Sequence, residues 1–297
     1  MKKIVYLLGG IICLFILYLA TLFLMQDKLL FKPDNNYISP QKANLSDVSE
    51  NVLTMSDGTN VMTWIKDGDK NLPAILFFHG NRGQIAEFAP QIMRFNKEGY
   101  GVFLAEYRGY GNSEGKINQD KMFSDGAEVY DWIKNRGYGN SEGKINQDKM
   151  FSDAAEVVDW IKKSGYSKVV VIGYSFGCAA SIGLASKRNV DGLALISPFA
   201  SLSRLVAEKY PFSNWILKDD YPSEKTIQKL TTPIIIIHGT ADTLVPVHHA
   251  KILYEQRKNN AELYLLDEKG HREVFWAEET PTLISNWLKS LKLEKVQ

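Results

Sequence analysis

The chain has 297 residues, of which 45% are hydrophobic and 23% are charged, and its formal net charge is +1. This composition is that of an ordinary globular protein, and the near-zero charge gives no electrostatic basis for binding nucleic acid. The two cysteines, Cys13 and Cys178, are too few for a disulfide framework, and no CxxC pair or Cys/His cluster indicates a zinc site. We therefore expect no nucleic-acid partner, no metal and no cofactor.

The N-terminal segment differs from the rest of the chain, because Lys2 and Lys3 precede 22 uncharged residues at 4–25. About 20 apolar residues span a bilayer, whereas the apolar part of a cleaved signal peptide is usually shorter and is followed by an A-x-A-like site. We therefore interpret residues 1–26 as a membrane anchor rather than a cleaved signal peptide or a buried helix. The two lysines favour a cytoplasmic N-terminus. We expect a single-pass protein whose main domain, residues 27–297, lies on the extracytoplasmic side.

After a polar tether at 26–36, short apolar runs alternate with helical patterns. The predicted strands lie at 51–55, 60–66, 74–79, 102–107, 168–173, 193–197, 233–238 and 263–267. The predicted helices lie at 84–97, 148–163, 177–188, 246–258 and 280–292. Most of the strands are continuous apolar runs, which is typical of parallel strands buried on both faces. The alternation predicts an α/β fold with one mostly parallel central sheet and helices on both of its faces.

The stretch at 198–231 interrupts this alternation with short helical pieces and the two prolines Pro211 and Pro222. It lies between two predicted strands and is too long for a simple crossover. Open α/β sheets bind ligands beyond the carboxyl ends of their strands. We therefore expect this stretch to form a small cap over that edge of the sheet.

A G-x-S-x-G motif is centred on Ser175, directly after the strand KVVVI and directly before the helical pattern CAASIGLAS. In a nucleophile elbow, a strained strand-to-helix turn exposes the serine hydroxyl above the sheet, and the flanking glycines allow close backbone approach. The motif here has that context on both sides. We predict that Ser175 is a catalytic nucleophile.

A serine nucleophile needs a general base that is itself oriented by an acid, and in this architecture the chain order is serine, acid, histidine. His271, in EKGHRE after the last strand, is the histidine in the expected place for the base. The remaining four have positions typical of structural turns or of the start of a helix, and these are His79, His238, His248 and His249. For the acid we favour Asp242, in the loop after a buried strand, over Asp267 at the end of the next one.

An oxyanion hole requires backbone N–H groups directed at the developing negative charge. One donor should be the residue after the nucleophile, Phe176. The other should come from the loop HGNRG at 79–83, where we assign Asn81. A simple tight turn is the alternative interpretation of that loop.

With these residues in place, the chain resembles the α/β-hydrolase superfamily. More narrowly, it resembles the membrane-anchored serine hydrolases of the bud-emergence-protein type, which are related to eukaryotic protein depalmitoylases. The matching stretches are QDKLLFKP, HGNRG, EYRGYGNSEG, GYSFG, HGTADTLVP and KGHRE, which together extend from about 26 to 275. Tyr174 and Phe176 depart from the group, since many relatives have a basic or polar residue and a leucine inside the elbow.

The resemblance implies a triad of Ser175, Asp242 and His271, with Asn81 and Phe176 at the oxyanion site. The implied substrate is a small acyl ester or an acylated protein or lipid, cleaved at an ester or thioester bond. A serine peptidase or amidase is an alternative, because the same triad serves both reactions. A catalytically impaired hydrolase-fold protein that binds ligands at the membrane is the alternative outside the enzymes.

One segment is written twice, as a 28-residue unit at 108–135 that is repeated at 136–163 with three differences. The differing pairs are Gly126/Ala154, Tyr130/Val158 and Asn135/Lys163. Two units are too few for a repeat array, which needs about three to bury a shared core. The repeat therefore indicates a tandem duplication of one loop and one helix.

The sequence favours the first copy of the loop and the second copy of the helix in the fold. Glycine costs about 1 kcal/mol relative to alanine inside a helix, and a buried tyrosine needs a partner for its hydroxyl. We therefore expect residues near 119–146 to be extruded. Because either copy could fill the same place in a neighbouring chain, a swapped homodimer is an expected partner state.

Overall fold

In the computed structural model, which describes residues 2–135 and 165–293, the apolar runs form strands that join in one large sheet. In chain order, the described strands are β1 (Lys32–Pro33), β2 (Ser49–Thr54), β3 (Asn60–Lys66), β4 (Ala74–Phe78), β5 (Arg82–Gly83), β6 (Gly101–Ala105), β7 (Val169–Tyr174), β8 (Gly192–Ile196), β9 (Ile234–Gly239) and β10 (Ala261–Leu266). Eight of them form a sheet in the order β10-β9-β8-β7-β4-β6-β3-β2, and β1 pairs separately with β5.

The central strands of this sheet are parallel, as the sequence predicts. Among the described strands of this sheet, the pairs β2–β3 and β3–β6 are antiparallel, and the other neighbouring pairs are parallel. Phe78 at the end of β4 is opposite Gly173 of β7, and Tyr174 of β7 is opposite Ile196 of β8. The carboxyl ends of these strands therefore lie side by side, so the loops that follow them meet at one edge of the sheet.

Helices cover both faces of the sheet. The described helices are α1 (Lys2–Leu30), α2 (Ile85–Lys97), α3 (Gln119–Asn135), α4 (Phe176–Lys187), α5 (Leu202–Lys209), α6 (Ser223–Ile227), α7 (His248–Arg257), α8 (His271–Trp276) and α9 (Glu279–Ser290). Along β4, Leu76 and Phe78 pack in the core shared with α3 and α4, whereas Ile75 and Phe77 pack in the core shared with α2 and α9. This alternation explains why the strand is apolar throughout.

Helix α1 is longer than the sequence predicts, because it continues without a break to Leu30. Its most apolar window has a mean hydropathy of 2.6, and none of that window is buried. Its length and composition are sufficient to cross a membrane, and a signal sequence has the same features. The expected free tether does not begin at residue 26, since Gln26 is buried against the domain.

The stretch between β8 and β9 contains α5, a 3-10 turn at Ser213–Trp215, and α6. Ser201 begins α5 as a cap, because its side chain accepts a hydrogen bond from the backbone N–H of Arg204. Residues of α5 line a cavity beside Ser175. This stretch, called the cap below, therefore lies beside Ser175, and its role as a cap over the substrate stays a prediction.

The expectation that the second copy of the repeated helix occupies the fold is wrong. The first copy, α3, packs between the sheet and α4, and its side chains Met122, Val129, Tyr130 and Ile133 are buried in the core. Residues 119–135 are therefore part of the fold rather than extruded. The second copy of the helix, at 148–163, lies outside the described residues.

Two contacts explain why the first copy fits. A β-carbon at Gly126 would lie 3.2 Å from Cζ of Phe78, closer than is usual, so glycine allows α3 to approach the sheet. The hydroxyl of Tyr130 donates a hydrogen bond of 2.7 Å to the backbone carbonyl oxygen of Asn189. The residues that disfavour this copy in an isolated helix are therefore suited to the place that it occupies.

The chain leaves α3 and returns to β7 at neighbouring points. A β-carbon at Gly165 would lie 2.8 Å from the carbonyl oxygen of Lys134. The ammonium group of Lys134 also donates to the backbone carbonyl of Ser167, just before β7. The end of α3 and the start of the next described segment are thus in direct contact.

Candidate active site

Ser175 occupies a sharp turn between β7 and α4, with φ 55° and ψ −115°. This backbone conformation is strained for a residue with a side chain. The flanking glycines make the turn feasible, because a β-carbon at Gly173 would lie 2.5 Å from the carbonyl oxygen of Gly177, and one at Gly177 would lie 2.1 Å from that of Phe78. The predicted strand, turn and helix around Ser175 are all present.

The structure brings three of the predicted site residues into one hydrogen-bonded chain. Oγ of Ser175 is 2.8 Å from Nε2 of His271, and Nδ1 of His271 is 2.7 Å from Oδ2 of Asp242. These residues come from different elements, after β7, after β10 and after β9 respectively. The chain has the connectivity that a serine nucleophile, a base and an orienting acid require.

Asp242 is buried and ionised. Burial alone would raise the pKa of its carboxyl group, but hydrogen bonds from His238 and His271 hold that pKa well below its ordinary value. The other carboxylate oxygen, Oδ1, accepts hydrogen bonds from the backbone N–H groups of Leu244 at 2.9 Å and Val245 at 2.8 Å. The carboxyl group therefore stays ionised, and its hydrogen bonds hold it in one position.

His238 contributes to this arrangement in a way that the sequence analysis missed. Its Nε2 atom is 2.8 Å from the carbonyl oxygen of Val245 and 3.3 Å from Oδ2 of Asp242. A carbonyl oxygen only accepts, so the ring must carry its proton on Nε2. One N–H group of His238 is therefore directed at both the carboxylate and the loop that holds it.

Asp267, the competing acid, is exposed after β10, and among the described contacts the ring of His271 pairs with Asp242 instead. Tyr174, an unusual residue for the elbow, supports the histidine. Its ring centroid is 5.4 Å from that of His271, and its hydroxyl donates to the carbonyl oxygen of His271 at 3.3 Å.

Asn81 lies in the loop after β4 and lines both cavities that contain Ser175. Its carbonyl oxygen accepts from the backbone N–H of Lys32 at 3.0 Å and from the hydroxyl of Tyr110 at 2.9 Å. Its side-chain amide donates to the carbonyl oxygen of Leu30. Phe176, the second predicted oxyanion residue, is the first residue of α4, where backbone N–H groups have no acceptor within the helix.

The EYRGYG stretch holds the loop after β4 in place. Oε1 of Glu106 is 2.5 Å from Nε2 of the buried His79, and Oε2 accepts from the N–H of Ile85 at the start of α2. The hydroxyl of Tyr107 donates to the carbonyl oxygen of His79 at 2.8 Å. In the sequence this stretch indicates only a family resemblance, although polar residues that directly follow a buried strand are a signal of such a positioning role.

Ser175 stands between two cavities of different character. The apolar cavity, of about 200 Å³, is lined mainly by hydrocarbon, including Phe176, Phe199, Leu205 and Val206. The larger cavity, of about 420 Å³, is called the polar cavity because charged groups of both signs line it, although aromatic side chains such as Phe88 and Trp276 also contribute to its walls. These charged groups are Lys32, Asp34, Arg82, Glu87 and Arg272.

A group of three side chains at the cap could be taken for a metal site, because the ligand atoms of Glu208, His248 and His249 lie within 4.8 Å of one another. However, the backbone N–H of Ala200 donates to Nδ1 of His249 at 3.2 Å. The neutral ring therefore carries its proton on Nε2, which is the atom that a metal would need. These residues suit hydrogen bonds between the cap and α7 better than a cation.

Comparisons with known proteins agree with this architecture. Residues 73–215 match the family model described as the alpha/beta hydrolase fold. The chain is 24% identical to YfhR of Escherichia coli strain K12 over 254 residues, covering 82% of this chain and 80% of YfhR. It is 26% identical to the alpha/beta hydrolase domain-containing protein WAV2 of Arabidopsis thaliana over 276 residues, covering 84% and 80% respectively.

Solved structures show the same fold. The Pyrococcus furiosus esterase Pf2001 superposes with a TM-score of 0.65 at 21% identity, covering 89% of this chain and 98% of that one. Esterase 2 of Thermogutta terrifontis with butyrate bound gives a TM-score of 0.60 at 19% identity, covering 85% and 97%. At these identities the likeness concerns the fold.

Proposed function

We propose that this chain, which matches the alpha/beta hydrolase fold over residues 73–215, is a membrane-anchored serine hydrolase that cleaves a carboxylic ester or thioester through an acyl-enzyme. The observation that carries the proposal is the hydrogen-bonded chain from Ser175 through His271 to Asp242. It lies at a strained strand-to-helix turn, at the junction of two cavities.

In the first half of the reaction, Oγ of Ser175 attacks the carbonyl carbon of the ester, and its proton passes to Nε2 of His271. The negative charge that develops on the carbonyl oxygen is stabilised by the backbone N–H groups of Asn81 and Phe176. The tetrahedral intermediate then collapses, and the leaving alcohol or thiol takes the proton from His271. The acyl group remains on Ser175 as an ester.

In the second half, a water molecule attacks the acyl-enzyme and gives its proton to His271. Collapse of this second intermediate returns the proton to Oγ of Ser175 and releases the carboxylic acid. Asp242 stays ionised throughout, since its pKa is held well below the ordinary value, and it stabilises the positive charge on the imidazolium ring.

The two cavities support a division of the substrate. The apolar cavity suits the acyl group, because burying hydrocarbon there is favourable by about 25 cal/mol per Å². The polar cavity suits the alcohol or thiol side of the scissile bond, which in an acylated protein or a lipid carries polar and charged groups. Esterases among the structural neighbours make an ester the preferred substrate class over a peptide.

The proposal also includes membership of a narrower group of hydrolases and a location at the membrane. The stretches HGNRG and EYRGYGNSEG support membership of the membrane-anchored, depalmitoylase-like group. Helix α1 supports a single-pass location, and Lys2 and Lys3 support a cytoplasmic N-terminus with the hydrolase domain on the opposite side.

A fluorophosphonate probe tests the proposal, because it labels only an activated serine. We expect the full chain in detergent to be labelled and to hydrolyse p-nitrophenyl butyrate. Ser175→Ala and His271→Ala should each abolish both signals, and the double variant should lose little more than either single one. Ser186→Ala is the matched control, because Ser186 lies in α4, the helix that follows Ser175, and its hydroxyl donates to the carbonyl oxygen of Gly183. Labelling that persists in Ser175→Ala would overturn the assignment.

A further inference from the structure

The apolar cavity at Ser175 has a neighbouring cavity beside the cap. A second cavity of about 170 Å³, here called the outer groove, lies beside it between α1 and the cap. Leu30, Val206 and Tyr210 line both spaces, so the two are neighbours across shared walls. The two adjacent cavities are together called the path below, and they extend from the catalytic serine to the C-terminal turns of the N-terminal helix.

The outer groove is lined mainly by hydrocarbon, with the exposed Lys32 as its charged residue, and the polar atoms of its two other polar residues are paired within the protein. Gln26 donates its side-chain N–H groups to the carbonyls of Phe23 at 2.9 Å and Ile216 at 3.3 Å, and its Oε1 accepts from the N–H of Lys218 at 2.9 Å. The hydroxyl of Ser213 donates to the carbonyl of Tyr210 at 2.6 Å. With these polar atoms already paired, an occupant meets mainly the apolar side chains.

The open end of the path is beside the part of α1 that can span a membrane. The ring of Phe15, within the uncharged run, packs edge-on against Phe212 of the cap at 5.4 Å. The cap is strongly apolar there, since Tyr210, Phe212 and Trp215 are 48%, 47% and 67% exposed. Aromatic side chains are enriched where proteins meet the membrane–water interface.

We propose that this path takes the long acyl chain of a substrate embedded in the bilayer and guides its carbonyl carbon to Ser175. The inference rests on the proposed function and adds two things to it. One wall of the acyl-binding site is the N-terminal helix itself, and the acyl chain enters from the lipid phase rather than from water. Either a membrane lipid or a lipid-modified protein offers such a chain.

The test uses the full chain in phosphatidylcholine vesicles and measures kcat/KM for p-nitrophenyl palmitate in the vesicle and for p-nitrophenyl butyrate in water. Leu22→Trp fills the outer groove from α1, and Leu24→Trp is the matched control two residues away, at a side chain that is 77% exposed. We expect Leu22→Trp to lower the palmitate-to-butyrate ratio at least tenfold and Leu24→Trp to leave that ratio unchanged.

A second pair repeats the test from the cap. Val206→Trp narrows the place where the two spaces meet, whereas Ala207→Trp changes the next residue, which lines an open surface pocket on the other side of α5. Only Val206→Trp should lower the ratio. To identify the source of the acyl chain, p-nitrophenyl palmitate is replaced by dipalmitoyl phosphatidylcholine or by an S-palmitoylated peptide. The substrate whose hydrolysis is lowered by Leu22→Trp and not by Leu24→Trp is the source.

The outcomes separate the two proposals. If the parent hydrolyses butyrate through Ser175 but Leu22→Trp and Leu24→Trp give the same ratio, the path is wrong and the hydrolase remains. If the parent hydrolyses neither ester, the proposed function falls, and the path falls with it.

Discussion

The side-chain amide of Asn81 donates a hydrogen bond to the backbone carbonyl oxygen of Leu30, which ties the loop beside Ser175 to the last turn of the N-terminal helix. Next to this bond, β1 pairs with β5, and the backbone N–H of Lys32 donates to the carbonyl oxygen of Asn81 at 3.0 Å. The ring of Phe31 packs edge-on against Phe176 at 5.3 Å. Residues 30–33 are therefore structural partners of the predicted oxyanion site.

This relationship predicts different outcomes for two truncations. Deleting residues 1–25 removes most of the apolar helix and keeps β1, whereas deleting residues 1–33 also removes the partners of Asn81. We expect the longer deletion to lower kcat/KM for p-nitrophenyl butyrate at least tenfold relative to the shorter one, because the loop loses its positioning contacts. Equal activity in two folded truncations, checked by circular dichroism, would show that residues 26–33 do not position the loop.

His238 should affect catalysis although it does not touch the substrate. Its N–H group is shared between Asp242 and the carbonyl of Val245, so His238→Ala frees the loop that holds the acid. We expect kcat to fall about tenfold, which corresponds to about 1.4 kcal/mol, with a smaller change in KM. His238→Gln retains an N–H donor and should recover part of the loss. A fall in thermal stability with unchanged kcat would assign a purely structural role.

The repeat permits two excisions that give chains of equal length. Deleting 136–163 keeps Gly126 and Tyr130, whereas deleting 119–146 puts alanine and valine in those places. We expect the first product to be more stable by about 1–2 kcal/mol. Valine loses the hydrogen bond to Asn189, worth about 1 kcal/mol, and leaves a cavity, and these losses exceed the helix-propensity gain of about 1 kcal/mol from alanine.

Denaturant unfolding of the two products measures this difference, and p-nitrophenyl butyrate hydrolysis checks that both retain the site. Tyr130→Val in the product that lacks 136–163 isolates the tyrosine. If the product with alanine and valine is the more stable one, the contact with Phe78 and the hydrogen bond to Asn189 do not explain why the first copy of the helix occupies the fold. Gel filtration of the same proteins tests whether the repeat supports a swapped dimer.

His249 predicts a dependence of stability on pH. Burial lowers the pKa of its ring from an ordinary 6.5 to about 4, against the opposing effect of Glu208. Between these values the unfolded chain binds a proton that the folded chain does not. The free energy of unfolding should therefore fall as pH decreases from 6.5 to 4, by at most about 1.4 kcal/mol per pH unit from this group.

His249→Gln should make that decline shallower, as measured by urea unfolding at several pH values. Lys251→Gln, at an exposed residue of the same helix that does not change its charge between pH 4 and 6.5, is the matched control and should leave the slope as it is in the parent. Identical slopes in all three proteins would mean that His249 does not titrate differently in the folded and unfolded chains.

The site was predictable where local chemistry determines it. The glycines beside Ser175 are required by backbone contacts of under 3 Å, and such a constraint is visible in the sequence as a motif between a strand and a helix. Asp242 follows the buried strand β9 and His271 follows the edge strand β10, and the order of these strands along the chain limits the choice. The mini-sheet of β1 and β5 was not predictable, because two residues carry no periodicity.

The choice between the two copies of the helix failed for a different reason. Intrinsic propensity favours alanine over glycine in a helix. The limited space beside Phe78 and the carbonyl oxygen of Asn189, which accepts the hydrogen bond from Tyr130, belong to other parts of the chain. Only tertiary structure brings those atoms to α3. Propensity is a weak prior that such contacts override.

The contact between Gly165 and Lys134 has a consequence for how this chain can change over generations. Because the repeated interval begins and ends at adjoining points, an unequal exchange that adds or removes a whole 28-residue unit need not separate β6 from β7 or move Ser175. The number of copies can therefore change while the arrangement around Ser175 is retained. The same junction offers protein engineers an insertion point for a reporter domain.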